Sequence, residues 1–275
     1  MSGRPTEVLL RAERYLDRHG VDAPRATAEI LLADLLRTDR VGLYTRAERL
    51  TPDQARDFGR ALCRRCEGVP LQHLTGEQAF RGIVVAVRPG VFVPRPETEV
   101  VVETALAAIA DVAEPLVVDV CTGTGVIALA IASERPDARV LAVDRSPAAA
   151  ALARENAERL GLEVEVLEGD LLAPLPDDLR GTVDLVVSNP PYVRPDEVDA
   201  LPADVLADPM EALVGDLALT ERLARGAREA LRQGGTFIVE IGEAQADEVR
   251  GVLAGFRDVR VERDLVGRDR VVVAS

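Results

Sequence analysis

The sequence predicts an α/β fold: a mostly parallel sheet of seven strands, a small helical domain before it, and a β-hairpin that links the two. After Pro115, short apolar stretches alternate with helical patterns, which is typical of a parallel sheet covered by helices on both faces. The stretch before residue 76 carries helical periodicity alone. We therefore place a helical domain at 1–75, a hairpin linker at 76–93 and an α/β domain at 94–275.

The helical domain is predicted to hold three main helices. The first covers residues 6–19, and the second opens at Pro24. The third begins at a capping box, in which Thr51 and Gln54 bracket a proline at the first helical position, and it runs to about Glu67.

The linker and the α/β domain follow from changes of period. Alternating apolar residues at 83, 85 and 87, followed by Pro89 and Gly90, predict a hairpin or an extended linker. The seven strands are predicted at 116–120, 139–143, 164–167, 183–188, 236–241, 259–261 and 271–273. Helices are predicted from about 99 to 113 and at 125–134, 147–160, 217–232 and 244–254.

Charge and composition limit the partners. The net charge is −14, and every basic residue is arginine. Residues 1–75 carry +2 (13 Arg against 11 acidic residues), and residues 76–275 carry −16 (20 against 36). A protein that follows nucleic-acid phosphates has a basic face, so we expect no direct nucleic-acid partner.

No membrane partner is expected either, because no apolar run reaches the roughly 18–20 residues that span a bilayer. The first ten residues lack the apolar stretch of a signal peptide. Three cysteines suit a reducing compartment, so we expect a cytoplasmic protein.

A glycine turn follows the first strand of the α/β domain. Gly123 and Gly125 allow close approach of a ligand to the backbone, and Asp144 ends the next strand, where a carboxylate can accept both ribose hydroxyls. Asp119 favours a cationic ligand group, such as a sulfonium. Ala128 lies where dinucleotide sites usually have a third glycine. The turn by itself therefore does not identify which nucleotide ligand binds. Asp170, after the third strand, is either a ligand of an adenine amino group or a solvated loop residue.

A second motif, Asn189-Pro190-Pro191-Tyr192, follows the fourth strand of this domain. The two prolines remove two N–H groups and fix the backbone, so the Pro190 carbonyl and the Asn189 side-chain oxygen can both act as acceptors. Two acceptors at fixed spacing can hold the two N–H bonds of one planar NH₂ group, beside the flat face of Tyr192. The motif therefore predicts methyl transfer to a conjugated nitrogen, as in a carboxamide or a nucleobase amine.

These residues resemble the HemK/PrmC family of protein-(glutamine-N5) methyltransferases. The resemblance extends over nearly the whole chain, and its specific motifs are PRPETE at 94–99 and NPPY at 189–192. It implies a class I methyltransferase (Rossmann-like) fold, S-adenosylmethionine as methyl donor, S-adenosylhomocysteine as product, and the glutamine of the Gly-Gly-Gln loop in class 1 peptide chain release factors as substrate. The helical domain would help to recognise that substrate.

The resemblance also implies roles for individual residues. Substrate-binding residues would be Asn189, Pro190, Pro191, Tyr192, Arg95 and Pro96, with Asn189, Pro190 and Tyr192 catalytic. Donor-binding residues would be Asp119, Cys121, Thr122, Gly123, Thr124, Gly125, Asp144, Asp170, Leu171 and Asn189. Three positions depart from the family: Cys121 replaces a glycine, Leu171 an aromatic residue that would stack on adenine, and His73 a tyrosine.

Three alternatives remain at this point. A nucleobase amino-methyltransferase could use the same tetrapeptide, but the acidic α/β domain argues against it. A nicotinamide dehydrogenase would give the tetrapeptide no role, and a non-catalytic adapter would bind the donor without turnover. Cys63 and Cys66 lie three apart inside a predicted helix without partner ligands, so we expect no metal. The chain is expected to act as a monomer.

Overall fold

The computed structural model describes residues 3–275, and its contacts divide the chain into two units. The first extends to Glu77 and also includes Pro202–Ala207. The second comprises Gln78–Leu201 and Asp208–Ser275.

The first unit is helical. Its helices are α1 (Pro5–Arg18), α2 (Pro24–Leu36), α3 (Arg40–Thr45), α4 (Pro52–Cys66) and α5 (Leu71–Thr75). Buried residues of α1, α2 and α4, among them Leu9, Leu32 and Phe58, form one core. The capping box at α4 is present: Gln54 N–H donates to Thr51 Oγ1 at 3.2 Å, and Thr51 N–H donates to Gln54 Oε1 at 2.9 Å. No helix within residues 3–275 is both long enough and apolar enough to cross a membrane.

The predicted hairpin consists of β1 (Glu77–Phe80) and β2 (Ile83–Ala86). Arg81 and Gly82 connect the two strands with φ angles of 43° and 82°. Two consecutive positive φ angles give a turn whose twist matches that of the strands.

A seven-stranded sheet forms the centre of the second unit. In spatial order its strands are β5 (Val164–Glu168), β4 (Arg139–Asp144), β3 (Leu116–Val120), β6 (Val183–Ser188), β7 (Leu231–Glu240), β9 (Asp269–Ala274) and β8 (Val259–Arg263). The first five are parallel, and β9 is antiparallel to both of its neighbours. The sequence prediction of a mostly parallel sheet of seven strands is confirmed.

Helices cover both faces of this sheet. They are α6 (Glu99–Ala108), α7 (Val126–Glu134), α8 (Pro147–Leu160), α10 (Leu217–Ala230) and α11 (Ala246–Val252). A further short helix, α9 (Met210–Leu213), lies between β6 and α10 in the chain. Alternate strand residues face opposite sides: Val117 packs with α6 and α7 in one core, whereas Val118 packs with α10 and α11 in the other. Because both faces are buried, the central strands are mostly apolar.

Some element boundaries differ from the sequence prediction. Helix α6 ends at Ala108 and not near 113, because the Arg135 guanidinium donates to the carbonyls of Ile109 and Val112 at 2.6 and 2.7 Å and so replaces helical bonds there. Strand β7 begins five residues early, at Leu231, which pairs with Val183. Helices α3, α5 and α9 span six residues or fewer, which is too short for a periodic signal.

Candidate active site

The predicted site residues come together at one edge of the sheet. Strands β4, β3, β6 and β7 are adjacent and parallel, so the segments after them meet at their carboxyl ends, where α/β sheets bind ligands. Asp144 ends β4, the glycine turn follows β3, and residues 189–192 follow β6.

The two glycines of the glycine turn differ in their surroundings: Gly123 borders open space, whereas Gly125 is closely packed. Cys121, Gly123 and Gly125 have φ angles of 61°, 57° and 85°. A Cβ at Gly123 would meet no atom within 4 Å, whereas a Cβ at Gly125 would lie 3.1 Å from Ala153 Cβ. Gly123 therefore leaves space for a ligand, and Gly125 is required for packing against α8.

Asp144 has the chemistry that a ribose requires. Its two carboxylate oxygens accept the N–H groups of Gly123 and Ser146, each at 2.9 Å. One bond per oxygen leaves each oxygen able to accept a second hydrogen bond, and the half-buried side chain borders the glycine turn. Burial raises the pKa of Asp144, and these two N–H groups lower it. The residues present thus fit a nucleoside with two ribose hydroxyls.

Asp119 supports the turn from within the protein. Its side chain is fully buried, and Oδ2 accepts the Thr122 hydroxyl at 2.5 Å and the Ala128 N–H at 3.2 Å. Oδ1 has no hydrogen-bond partner within residues 3–275. Burial raises the pKa of Asp119 to about 7, although the bonds from Thr122 and Ala128 oppose the shift. A contact with a cationic ligand group stays a prediction.

We expect Asp119→Asn to reduce the pH dependence of stability. An unperturbed aspartate has a pKa of 3.8, so the penalty for burying the charge develops as the pH rises from 3.8 towards about 7. The free energy of unfolding of the wild type should fall on the order of 2–3 kcal/mol relative to the variant between about pH 5 and about pH 8. Denaturant unfolding at several pH values measures this difference, and parallel pH profiles for the two proteins would contradict it.

Asp170 and Leu171 follow β5 at the same edge. The Asp170 carboxylate is exposed and pairs with Arg222 of α10. Leu171 is half-buried with a φ of 50°, and its side chain packs on the core beneath α10. Their assignment to the donor stays a prediction.

The Asn189–Tyr192 segment presents two oxygen acceptors. The Asn189 side-chain nitrogen donates to the Thr98 hydroxyl oxygen at 3.2 Å, which leaves Oδ1 on the other side of the amide. Neither Asn189 Oδ1 nor the Pro190 carbonyl accepts a hydrogen bond from the described part of the chain. The Tyr192 hydroxyl donates to Glu240 Oε1 at 3.3 Å, and the Tyr192 carbonyl accepts the Gln245 side-chain N–H at 2.7 Å.

Gly215 packs closely against the Asn189–Tyr192 segment and helps to hold it in place. The Val193 N–H donates to the Leu213 carbonyl at 2.9 Å, and the Gly215 N–H donates to the Val193 carbonyl at 3.0 Å. A Cβ at Gly215 would lie 1.9 Å from the Pro191 carbonyl oxygen. Only glycine allows the two chain segments to approach this closely.

Gly215→Ala is therefore expected to displace the tetrapeptide and to lower kcat about a hundredfold, since a shift of about 1 Å at a reacting centre has that effect. Steady-state methylation assays and the affinity for the methyl donor measure the change. Gly251→Ala is the matched control, because a Cβ there meets nothing within 4 Å. Equal kcat values for the two variants would contradict the prediction.

Arg95 and Pro96 lie in the segment before α6. The Arg95 guanidinium pairs with the buried carboxylate of Asp208 and lies 5.3 Å from the centre of the Phe92 ring. Pro96 opens a 3-10 turn, Pro96–Thr98, which places Thr98 beside Asn189. The structure thus shows Arg95 holding its own segment in place, and its contact with substrate stays a prediction.

Sequence reasoning did not assign Thr98, Glu240 or Gly215 to the site. Thr98 and Glu240 are each 2% exposed. Burial raises the pKa of Glu240 to about 7, while the Thr98 hydroxyl, the Arg270 charge and the Tyr192 hydroxyl oppose that shift. The sequence does contain a signal that could have identified Glu240. It is a carboxylate at the end of an apolar strand, which is the same pattern that identified Asp144.

Comparisons with known proteins agree with the fold. Residues 83–261 match the family described as the methyltransferase small domain, and residues 7–76 match the PrmC N-terminal domain. Among solved structures, the hMettl16 catalytic domain in complex with an RNA hairpin has a TM-score of 0.59 at 14% identity, and covers 83% of this chain and 84% of that one. This likeness concerns the fold. The fold and the family match define a class I methyltransferase, and its methyl donor is S-adenosylmethionine.

Curated relatives narrow the class. A release factor glutamine methyltransferase of Moorella thermoacetica is 41% identical over 98% of this chain and 97% of its own length. One from Escherichia coli is 37% identical over 92% of both chains. The chain belongs to the release factor glutamine methyltransferase family.

Proposed function

We propose that this protein transfers a methyl group from S-adenosylmethionine to the side-chain amide nitrogen (N5) of the glutamine in the Gly-Gly-Gln motif of class 1 peptide chain release factors. The family supports the substrate, and one observation on the structure carries the chemistry. Asn189 Oδ1 and the Pro190 carbonyl are two neighbouring acceptors, without partners among residues 3–275, on a rigid segment at the ligand-binding edge.

Two acceptors can hold both N–H bonds of a glutamine amide. The amide nitrogen is a weak nucleophile because its lone pair is delocalised, so placement contributes more than a strong base could. As the new N–C bond forms and the methyl–sulfur bond breaks, the nitrogen gains positive charge, and the two oxygen dipoles already point towards it. They bind the transition state more tightly than the neutral amide. The methylated nitrogen then releases one of its two N–H protons to water, which restores a neutral amide.

The glycine turn and Asp144 would hold the methyl donor. Bound S-adenosylmethionine supplies an electrophilic methyl group on a positively charged sulfur. The open space over Gly123 and the remaining acceptor capacity of Asp144 fit its nucleoside. The Tyr192 ring would pack on the substrate amide, and its hydroxyl bond to Glu240 anchors the far end of that ring.

The test uses wild-type protein, isotope-labelled methyl donor and a purified class 1 release factor. Mass spectrometry should find one added methyl group on the glutamine of the Gly-Gly-Gln peptide. A release factor with that glutamine replaced by alanine is the control. Parallel incubation with RNA and DNA tests the nucleobase alternative, and label in nucleic acid without label in the release factor would contradict the proposal.

The helical unit would help to bind the release factor. Helix α1 presents three exposed arginines, Arg11, Arg14 and Arg18, around a surface groove that also includes Tyr15 and Asp17. These lie in the part of the sequence with net positive charge, which makes them candidates for contacts with acidic groups of the substrate.

Charge reversal on this helix should therefore weaken substrate binding. We expect Arg14→Glu with Arg18→Glu to raise KM for the release factor at least about fivefold at low salt, with less effect at high salt, and to leave kcat unchanged. Arg56→Glu with Arg60→Glu on α4 is the matched control, because those arginines pair with Asp53 and Asp57 of their own helix. Equal KM values for both double variants would contradict this role.

We further propose that the protein acts as a monomer in the cytoplasm without direct nucleic-acid contact. A translation factor as substrate supports the location. The net charge of −16 over residues 76–275 supports the lack of a nucleic-acid surface.

A further inference from the structure

Asn156 is a buried polar residue of α8 that contacts the glycine turn. Its side chain is 1% exposed. Oδ1 accepts the Ala86 N–H at 2.7 Å, and Nδ2 donates to the Ala86 and Thr124 carbonyls at 3.1 and 2.9 Å. Both N–H bonds of its NH₂ group are thus used. One side-chain amide therefore joins the end of β2, helix α8 and the glycine turn.

Steric repulsion alone does not fix the conformation of this turn. Gly123 and Gly125 have φ angles of 57° and 85°, but glycine adopts negative φ angles about as readily. The peptide group between Thr124 and Gly125 can therefore rotate about its flanking bonds unless other contacts hold it. Hydrogen bonds to that peptide group have to select its orientation.

Helix α7 does not supply the hydrogen bond that the Thr124 carbonyl needs. In a regular α-helix the N–H four residues further on would donate to this carbonyl. That N–H belongs to Ala128, and it donates instead to Oδ2 of buried Asp119 at 3.2 Å. The Thr124 carbonyl accepts from Asn156, while the Gly125 N–H of the same peptide group donates to the Thr122 carbonyl at 2.9 Å. Rotation of the peptide group would break both of these bonds.

We propose that Asn156 is a positioning residue for the methyl donor, because it holds the Thr124–Gly125 peptide group in the orientation that forms the donor-binding turn. This inference rests on the proposed function, in which the turn and Asp144 hold the donor. Without Asn156, part of the free protein would have this peptide group rotated. The affinity for the donor falls in proportion to the fraction of molecules that are competent to bind it.

Asn156→Ala tests the proposal by separating donor affinity from turnover. We expect Kd for S-adenosylmethionine to rise at least about tenfold, since the variant leaves a buried carbonyl of the turn without its donor. At saturating donor, kcat and KM for the release factor should stay within about threefold, because Asn156 has no bond to the Asn189–Tyr192 segment in the described structure. Calorimetric titration and steady-state methylation assays measure these quantities.

Leu152→Ala is the matched control. Leu152 lies on the same helix, is 2% exposed and packs in one cluster with Ala86 and Val91. Its replacement therefore loosens the same contact between α8 and the segment after β2, but it removes no hydrogen bond from the turn. We expect Leu152→Ala to lower thermal stability and to leave Kd for the donor within about twofold.

Hydrogen exchange of the wild type measures the same coupling without a variant. The chain contains two asparagines, Asn156 and Asn189, so selective ¹⁵N-asparagine labelling gives two side-chain NH₂ signals. The Asn156 NH₂ protons exchange when their bonds to Ala86 and Thr124 open, and a ligand that requires the intact turn suppresses that opening. We expect S-adenosylhomocysteine at about a hundred times its Kd to slow their exchange at least about tenfold.

The outcomes separate this inference from the proposed function. Wild-type protein that methylates the release factor, together with an Asn156→Ala variant of unchanged donor Kd, would overturn the inference alone. An equal rise of donor Kd in Leu152→Ala would do the same. Exchange of the Asn156 NH₂ protons that S-adenosylhomocysteine does not slow would also overturn it, even if Asn156→Ala does not fold. Failure of the wild type to methylate the release factor would instead refute the proposed function.

Discussion

Replacement of Asn189 by alanine is expected to lower kcat for release-factor methylation about a hundred- to a thousandfold, as removal of one preorganised group at a reacting centre does. The variant loses one of two acceptors that hold the substrate amide, so the nitrogen is no longer aligned with the methyl group. The glycine turn and Asp144 remain in place. Kd for S-adenosylmethionine should therefore stay within about threefold of the wild-type value.

Single-turnover kinetics with saturating donor and calorimetric titration of the donor measure these two quantities separately. A variant that methylates at the wild-type rate would contradict the role of Asn189 as an acceptor. A variant with normal kcat and a large increase in donor Kd would move Asn189 from the substrate site to the donor site.

Replacement of Asp144 by alanine should weaken binding of the methyl donor and have little effect on kcat, which is the opposite of the result expected for Asn189→Ala. Two charge-assisted bonds to ribose hydroxyls are worth roughly 1.5–3 kcal/mol each, so we expect Kd for S-adenosylmethionine to rise at least about a hundredfold. The Gly123 N–H also loses its acceptor at 2.9 Å, which loosens the turn. At saturating donor, kcat should fall only severalfold because the tetrapeptide is untouched.

Asp137→Ala is the matched control for Asp144→Ala. Asp137 lies before the amino end of β4, at the opposite edge of the sheet, and pairs with Arg135 on the surface. Donor Kd should be unchanged in that variant. Equal donor affinity for the wild type and Asp144→Ala would contradict the assignment of Asp144 to the donor.

The sequence predicted the parts of the fold that have a strong local signal. The strands at 116–120 and 183–188 have the same bounds in the structure, because strands buried on both faces read as mostly apolar runs. The same local signals located the glycine turn and Asp144 at one edge, since the carboxyl ends of parallel strands lie together.

Contacts between distant segments had no such signal. Thr98 and Asn189 are 91 positions apart, and Tyr192 and Glu240 are 48 apart. The close approach of Gly215 to Pro191 likewise depends on how two loops pack. A single sequence shows which residues carry polar atoms, but the pairing of those atoms is decided by tertiary structure.

The sequence also could not predict the direction in which site side chains point. Asp119 alternates with apolar neighbours on β3, and the sequence could not show that its carboxylate is fully buried beneath the turn. Arg95 belongs to a motif that suggested contact with substrate, yet its guanidinium pairs with buried Asp208. In both cases the prediction placed the residue near the site, and the structure supplied the partner.

A structure of the complex with S-adenosylhomocysteine and a Gly-Gly-Gln peptide tests the central claim most directly. We predict that the glutamine amide nitrogen lies within hydrogen-bond distance of both Asn189 Oδ1 and the Pro190 carbonyl, with the sulfur of the nucleoside on the opposite side of that nitrogen. A glutamine side chain bound elsewhere, with these two oxygens facing solvent or protein, would contradict the account.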